Sequence, residues 1–517
     1  MTLSIDIFDL PPPKPVVQEL RLAASATGPV IVLSHGFSYT VTGNTLLPKS
    51  TLREALEKAE SPTQAVQNLK AAYSQAGYFL VALRAQVSAH DVVLQVIEGQ
   101  ITRVDAQASL NRFYDGVEFD PTLQENELVR RNILAEAYAS RSGLEFRPSV
   151  APGQQPGGTT LTVQTPPQPN FKPISGSLVL GNYGSRYVGG MVLGENLSVR
   201  PGSGLEMNLS YAHGLPNALK DSAGSRYDAV NAGASLVTPW GFYGLTFARS
   251  TYRVGAAAAP LNPTGETQTW GFTGSQLLYG SPTLRISSTQ GLTHVSNVTT
   301  VFQNLYTLTD QNYNYTNIGL QLSKNISIIN LPGALNAGIA YNFGISGPIG
   351  TLSKTTPGLP TSRFHYWGVT SNWQQTLPDG WSSNVAFNGQ WGLDTLPQNQ
   401  QWVLGGYGSL TAWTPGVLVG DSGYLLRATL QSPSWQWRGW QMNAQGFAEQ
   451  GAVTNHYTPA GTPGWQMLAD LGVGLTWTSP WKTQLSLLAA RSTANKNVSA
   501  ATLRNQRAVY FILQQYF

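Results

Sequence analysis

The sequence predicts a mainly β protein, in which a C-terminal, sixteen-stranded antiparallel transmembrane β-barrel follows two small α+β domains. Three observations lead to this fold class. Only 11% of the 517 residues are charged, against about 25% in an ordinary soluble protein. Residues 1–171 carry 16 Asp/Glu and 13 Lys/Arg, whereas the much longer remainder carries only 11 and 18. From residue 174 onward, segments of about 9–11 residues alternate apolar with small or polar side chains.

Residues 1–29 are predicted to be an N-terminal extension or linker, with an extended PPPKP stretch at 11–15. They contain no convincing plug helix. The opening residues, MTLSIDIFDLPPPKP, lack the basic and apolar regions of a secretory signal. If the protein is exported, we therefore expect this sequence to be a processed form.

Residues 30–104 are predicted to form a compact β-α-α-β-β domain, and residues 105–168 a shorter version of the same plan. In the first, IVLSHGFSYTVTGN is expected to be one strand, and Ser61-Pro62 starts a helix well. VVLQVIEGQITRV is expected to be its last strand, broken at a turn or bulge at Glu98-Gly99. The linker PPQPNFKP follows the second domain.

Residues 172–517 are predicted to form the barrel. In ADLGVGLTW, for example, Leu471 and Val473 alternate with Asp470 and Gly472. In lipid every backbone N–H and C=O must be paired, so the strands must close on themselves. The sixteen segments are placed at starts near 174, 188, 205, 228, 241, 269, 283, 313, 335, 365, 381, 423, 439, 468, 483 and 508. Long external loops are expected at 250–268, 294–312 and 344–363. A soluble sandwich or propeller also alternates, but its polar faces would carry more Lys and Glu.

The chain ends in RAVYFILQQYF, which is expected to be the last strand of the barrel. It would close the barrel by pairing with the first strand, and an aromatic end suits a membrane–water interface. We therefore expect Tyr510 and Phe517 to contribute to barrel closure and assembly.

Composition argues against several classes of function for this chain. The net charge of +4 is spread thinly, so no nucleic-acid partner is expected. Cysteine is absent and the six histidines have no metal-ligand spacing, so we expect no metal and no cofactor. Gly420-Asp421-Ser422-Gly423 looks like a serine nucleophile motif, but no histidine carries a supporting signature. We expect a structural turn there and no enzyme activity.

Several stretches together resemble one family. FSYTVTGN, AYSQAGYFLV and VIEGQI are similar to a polypeptide-transport-associated (POTRA) domain of the TpsB transporters of two-partner secretion, the group that includes FhaC. Residues 110–165 resemble that family's second such domain. SGSLVLGNYGSRYVGG resembles its first barrel strand, with Gly181 where the family usually has Asp. The resemblance covers nearly the whole chain.

This resemblance implies a barrel in the outer membrane with two POTRA domains in the periplasm. They would bind one partner exoprotein in unfolded form, and the barrel would pass it to the cell surface. Outer-membrane lipid, and the barrel assembly machinery during biogenesis, are the other implied partners. The exoprotein's identity and the oligomeric state do not follow from the sequence. Two alternatives stay open: a factor that assembles outer-membrane proteins in the manner of BamA, and a passive porin with fused binding domains.

The family's sixth loop folds into the barrel, and an Arg at its tip pairs with the Asp of a Phe-x-Asp-x-Gly motif. Here the loop lies at about 393–421, and its aligned tip is Leu410, Thr411, Ala412 and Trp413. Thr411 stands in place of that Arg, and Glu449 in place of that Asp. We expect Glu449 to pair with Arg427 of the neighbouring strand, and the tip to dock through Trp413. The alternative is that Glu449 is simply a solvated residue of the lumen.

Overall fold

The computed structural model of the chain describes residues 28–155, 157–185, 188–218, 224–351, 358–458, 463–507 and 509–517. The predicted extension at 1–29 and the question of a plug helix therefore lie almost wholly outside the described residues. Two compact units are present. One contains the described residues before Lys172 together with the short segments Val237–Pro239 and Tyr279–Pro282, and the other contains the remaining described residues.

The first unit begins with a four-stranded sheet. Its strands are β1 (Val30–Ser34), β2 (Phe37–Thr42), β3 (Val81–Ser88) and β4 (Asp91–Glu98), and its helices are α1 (Lys49–Glu57) and α2 (Pro62–Gln75). The strand order is β1-β2-β4-β3. The expected single strand at residues 31–44 is wrong, because His35 and Gly36 both have positive φ and fold it into a hairpin.

The two helices cover one face of this sheet. Leu52, Leu56 and Leu69 are fully buried in one cluster with Tyr39 of β2. The helix α2 starts where the sequence predicted, because the Ser61 side chain accepts a hydrogen bond from the Gln64 N–H at 3.3 Å.

The second sheet of this unit has the order β5-β7-β6. It consists of β5 (Gln100–Ala106), β6 (Arg147–Pro152) and β7 (Gly158–Gln164), with helices α3 (Ala108–Asn111) and α4 (Glu125–Arg141). Because β5 pairs in parallel with β7, the boundary between the two sheets lies at Gly99. The expected boundary at 104 placed this strand in the wrong sheet, since periodicity marks a strand but does not identify its partner.

The second unit is a closed barrel of sixteen strands, as the sequence predicted. The wall strands are β8 (Ile174–Gly181), β9 (Met191–Gly202), β10 (Leu205–Leu215), β11 (Arg226–Thr238), β12 (Gly241–Arg253), β13 (Thr264–Gly280), β14 (Leu284–Val301), β15 (Tyr306–Ile328), β16 (Leu331–Ser346), β18 (His365–Thr376), β19 (Ser382–Gly392), β22 (Ser422–Gln431), β24 (Trp440–Thr454), β25 (Trp465–Thr478), β26 (Thr483–Lys496) and β27 (Val509–Tyr516). Short elements lie between them: β17 (Ile349–Thr351), β20 (Trp402–Leu404), β21 (Leu418–Gly420), β23 (Trp435–Trp437) and α5 (Ala500–Leu503).

The loop expected at 294–312 is wrong. Strands β14 and β15 stay paired from Leu284–Lys324 up to Val301–Tyr306, so most of that loop is a tall hairpin. A barrel strand needs only about 9–11 residues to cross a membrane, and these two have 18 and 23. The alternation simply continues beyond the height of the bilayer.

The two faces of the wall differ in chemistry. On β8, β9 and β10 the exposed Leu178, Leu197 and Leu209 share one parity, which is the lipid-facing side. The opposite parity faces the lumen. No described helix is both long enough and apolar enough to cross a membrane.

Candidate functional site

Loop six connects β19 to β22 and places a tight turn inside the barrel wall. The strands β20 and β21 pair with each other and form its stem. Above the stem Gly405 has φ +106°, and a side chain there would lie 2.4 Å from the Thr414 carbonyl oxygen. Only glycine allows this crossing of the two arms, so the shape of the loop is set by its backbone.

The tip is a four-residue turn, closed by a 3.0 Å hydrogen bond from the Trp413 N–H to the Leu410 carbonyl. Leu410, Thr411 and Trp413 are 0% exposed, and Ala412 is 2% exposed. Leu410 has φ +61°, which a leucine rarely adopts. In such a turn the N–H groups of the two central residues, Thr411 and Ala412, are free to bind an acceptor outside it.

Glu449 accepts from this turn and from the wall at once. The Thr411 N–H donates to Glu449 Oε2 at 2.5 Å, and Arg427 Nη1 donates to Glu449 Oε1 at 2.7 Å. The Glu449 side chain is 0% exposed and that of Arg427 is 19% exposed. The structure thus brings Arg427 and Glu449 together across β22 and β24, where they are register partners. A buried carboxylate needs such donors, because burial without them is costly.

The alternation of β24 aims the whole Phe447-x-Glu449-x-Gly451 motif at the lumen. The Arg427 guanidinium lies 4.7 Å from the centre of the Phe447 ring, which fixes its position. A side chain on Gly451 would lie 2.9 Å from Leu404 of the loop stem. Phe447 therefore supports the cation, Glu449 binds the tip, and Gly451 leaves room for the stem.

Asp470 is a second anchor that sequence reasoning missed. It lies opposite Glu449 on β25, is 1% exposed, and its Oδ2 accepts from the Ala412 N–H at 2.8 Å. In the sequence Asp470 is one of several polar or small residues in an alternating strand. The available signal was that its lumen-facing neighbours, Gly472 and Gly474, carry no side chain.

Trp413 packs in a cluster of buried side chains, and its indole N–H has no partner among the described residues. Its carbonyl accepts from the Tyr510 hydroxyl at 3.0 Å. The remaining members of the cluster are Leu404, Leu410, Ala412, Leu418, Leu425, Phe447, Val453, Leu468, Leu488, Ala490 and Tyr510. Apolar packing of Trp413 thus accompanies the polar anchoring of the two preceding residues.

The two residues expected at the seam lie at different places. Tyr510 is fully buried beside the loop tip. Phe517 is 54% exposed, and its backbone exchanges hydrogen bonds with Gly176 at 3.1 and 3.3 Å. Between them, β27 pairs with β8 from Ile512–Gly181 to Tyr516–Ser177.

The Gly-Asp-Ser-Gly motif lies at the base of loop six. Its Asp421 carboxylate is 2% exposed and accepts from the N–H groups of Leu396 and His456 at 2.9 and 2.8 Å. The Ser422 hydroxyl accepts from the Gly392 N–H at 2.9 Å. Both side chains thus hold backbone around the loop, which is the contact pattern of a structural turn.

The lumen side of β8 to β11 carries two rows of small neutral side chains. One row is Ser177, Asn196, Ser210 and Asn231, and the other is Ser175, Ser198, Asn208 and Gly233. Together they line a groove of about 870 Å³, with Lys172 and Lys482 also on its wall. Below them, Arg200 and Glu206 neutralise each other at 3.1 Å.

Comparison with known proteins gives consistent results. Residues 157–477 match the family described as haemolysin secretion/activation protein ShlB/FhaC/HecB. The heme/hemopexin transporter protein HuxB of Haemophilus influenzae is 22% identical over 343 residues, which are 64% of this chain and 57% of HuxB. The match therefore spans little more than half the length of that relative.

Two solved structures share the fold. CdiB from Escherichia coli superposes with a TM-score of 0.74 at 18% identity, over 97% of this chain and 93% of its own. CdiB from Acinetobacter baumannii gives a TM-score of 0.72 at 14% identity, over 98% and 93%. With the family match over most of the barrel, these results show that the chain is an outer-membrane protein of the ShlB/FhaC/HecB family.

Proposed function

We propose that this protein is the transporter of a two-partner secretion system. It would take one large exoprotein in unfolded form from the periplasm and pass it through the barrel to the cell surface. The observation that carries the proposal is the match to the secretion family over residues 157–477, a region that includes loop six and its anchors Arg427, Glu449 and Asp470.

The loop geometry supports a conduit that opens. The tip is held by hydrogen bonds to Glu449, Asp470 and the segment before β27 and by one buried tryptophan, and the contacts among the described residues include no covalent link. Each such contact contributes only a few kcal/mol. A loop held in this way is able to leave its pocket, and the neutral rows on the wall would then face the passing chain.

We propose further that the two sheets of the first unit are POTRA domains in the periplasm, with the boundary between them at Gly99. Their α+β architecture fits that assignment. In the first sheet, β1 is an edge strand, and it exposes 60% of Ile31 and 79% of Leu33. An extended segment of the unfolded exoprotein would add to such an edge by β-augmentation.

Other roles follow from the proposal. Outer-membrane lipid would contact the apolar outer wall, and the barrel assembly machinery would insert the chain. We expect the gene that encodes the exoprotein to lie beside the gene of this protein. Transport as proposed requires no catalytic step by this chain.

The test is secretion of the exoprotein encoded by a neighbouring gene, measured with and without this protein. We expect the exoprotein to disappear from the cell surface and medium on deletion, while other outer-membrane proteins keep their levels. A general fall in outer-membrane barrels would instead indicate an assembly factor. Unchanged secretion with unchanged barrels would indicate a porin, and either result would overturn the proposal.

A further inference from the structure

The seam between the last and first strands is a short stretch of the barrel wall. The strands β27 and β8 share five register pairs, from Ile512–Gly181 to Tyr516–Ser177. On either side the ladders are longer, with seven pairs between β26 and β27 and eight between β8 and β9. The outer end of the seam therefore needs another source of stability.

Hydrogen bonds from side chains stabilise the outer end of the seam. The Asn182 side chain accepts from the Phe511 N–H at 2.9 Å and donates to the Val509 carbonyl at 3.0 Å. The guanidinium of Arg507 donates to the carbonyls of Asn182 and, at 2.7 Å, Gly184. Arg507 precedes the last strand, so its side chain ties that strand to the end of the first.

The backbone of the same segment binds the tip of loop six. The Arg507 N–H donates to the Ala412 carbonyl at 2.9 Å, and the Thr414 N–H donates to the Asn505 carbonyl at 3.0 Å. Trp413 forms an isolated β-bridge with Gln506. The turn thus adds to residues 505–507 like a short extra strand.

We propose that Arg507 is a positioning residue that makes the docked tip of loop six part of the barrel closure. Its backbone is held by the tip, and its guanidinium holds the outer end of the seam. While the tip is docked, Arg507 is fixed where it reaches Asn182 and Gly184. When the tip leaves, residues 505–507 lose their partners, and the outer end of the seam loosens. This inference concerns closure of the barrel and does not rest on the proposed export.

Amide hydrogen exchange of the full-length protein in lipid nanodiscs tests this role of Arg507. Mass spectrometry resolves the exchange to single amides. In Arg507→Ala we expect the Phe511 N–H and Asn182 N–H to exchange about tenfold faster, which is the effect of losing a hydrogen bond to a charged group. The Phe517 N–H, at the other end of the seam, should keep its rate. Arg504→Ala, a change of an exposed arginine three residues earlier, is the matched control and should change neither rate.

The tip-release variant Trp413→Ala decides whether the tip acts through Arg507. We expect it to speed exchange at the same two amides, and we expect the double variant with Arg507→Ala to add nothing further. Arg507→Lys keeps the charge and most of the side-chain volume. It is the control that separates faster exchange at these two amides from faster exchange caused by misfolding. An unchanged seam in Trp413→Ala, an additive double variant, or an equal rise across β14 and β15 would each overturn the proposal.

Discussion

At the scale of single residues, the pocket of loop six shows how one interaction can be rebuilt from different parts. The tip supplies backbone N–H groups instead of a guanidinium, and the cation stands on the wall as Arg427. Because a buried carboxylate must be paired, Glu449 stays satisfied although Thr411 occupies the position where the sequence led us to expect an arginine.

We predict strong coupling between Arg427 and Glu449. Arg427→Ala leaves a buried carboxylate with one backbone donor, so it should lower the free energy of unfolding by about 3 kcal/mol. Glu449→Ala should cost a similar amount, and the double variant clearly less than the sum. Urea unfolding in lipid vesicles measures the free energy of unfolding of the wild type, the two single variants and the double variant. Arg249→Ala, at the exposed pair with Glu266, is the control and should have little effect. Additive costs would contradict the pairing.

A second prediction concerns Thr411. Its N–H, not its hydroxyl, binds Glu449, so Thr411→Ala should leave the loop docked. Thr411→Pro has no N–H to donate and should release the tip. Limited proteolysis of loop six in intact cells distinguishes docked from released loops. Equal cleavage of the two variants would show that the backbone donor does not anchor the tip.

At the scale of elements, Glu98 joins the end of β4 to the loop after β2 and to helix α2. At the end of β4, its carboxylate accepts from the N–H groups of Thr45 and Leu46 at 2.8 and 2.9 Å and from the Tyr73 hydroxyl at 2.9 Å. Burial and the neighbouring carboxylate raise the pKa of the Tyr73 hydroxyl, which therefore stays protonated and keeps donating. The turn or bulge within one strand that was expected at Glu98-Gly99 is wrong, because the chain passes there from β4 of the first sheet to β5 of the second.

We predict that Glu98→Gln lowers the local stability of the first sheet by about 1.5–3 kcal/mol, the range for hydrogen bonds to a charged group. Hydrogen exchange of amides in α2 and β4 reports this directly. Glu54→Gln, at the exposed pair with Lys58, is the matched control and should leave those rates unchanged. Similar rates in wild type and Glu98→Gln would refute a structural role for the carboxylate.

The helix α4 carries a pH-dependent contribution. Hydrogen bonding by Arg130, and also by Arg131, lowers the pKa of Glu127. The stability from this group is therefore fully present above the ordinary Glu pKa of about 4.3 and is lost as the pH falls through the lowered folded value. We predict that the amide protection factors of α4, which are corrected for the intrinsic pH dependence of exchange, fall over that acidic range in wild type and fall less in Glu127→Gln. Parallel pH profiles would contradict this.

At the scale of the whole molecule, the sequence predicted the barrel better than its details. The alternation of apolar and polar residues is set by the membrane itself, so it located all sixteen wall strands near their observed starts. An alternation with a period of two identifies a strand, but it does not identify the strand with which it pairs. For that reason the predicted boundary at 104 leaves β5 in the wrong sheet, and the predicted strand at 31–44 does not show the hairpin at His35-Gly36. Asp470 was missed because its role depends on a loop 58 residues earlier.

The neutral rows on the wall give a prediction for the pore. With small amides and hydroxyls along β8 to β11, and only Lys172 and Lys482 as cations on the groove wall, an open barrel should show at most a slight preference for anions, with a permeability ratio of about one. Bilayer conductance of the Trp413→Ala protein under a salt gradient measures this ratio. Asn208→Asp with Asn231→Asp should shift it toward cations. Strong selectivity before these changes would contradict a neutral lining.

The tip's backbone anchoring has a further physical consequence. From Gln398 to Gly420 the loop contains no charged residue. When it leaves its pocket, Arg427 and Glu449 remain together on the wall, so the motion separates no ion pair and transfers no charge across the membrane. The position of the loop should therefore respond little to ionic strength or to voltage. It should respond mainly to whatever displaces Trp413 from its apolar cluster, which makes a polypeptide in the lumen a more effective trigger than any electric field.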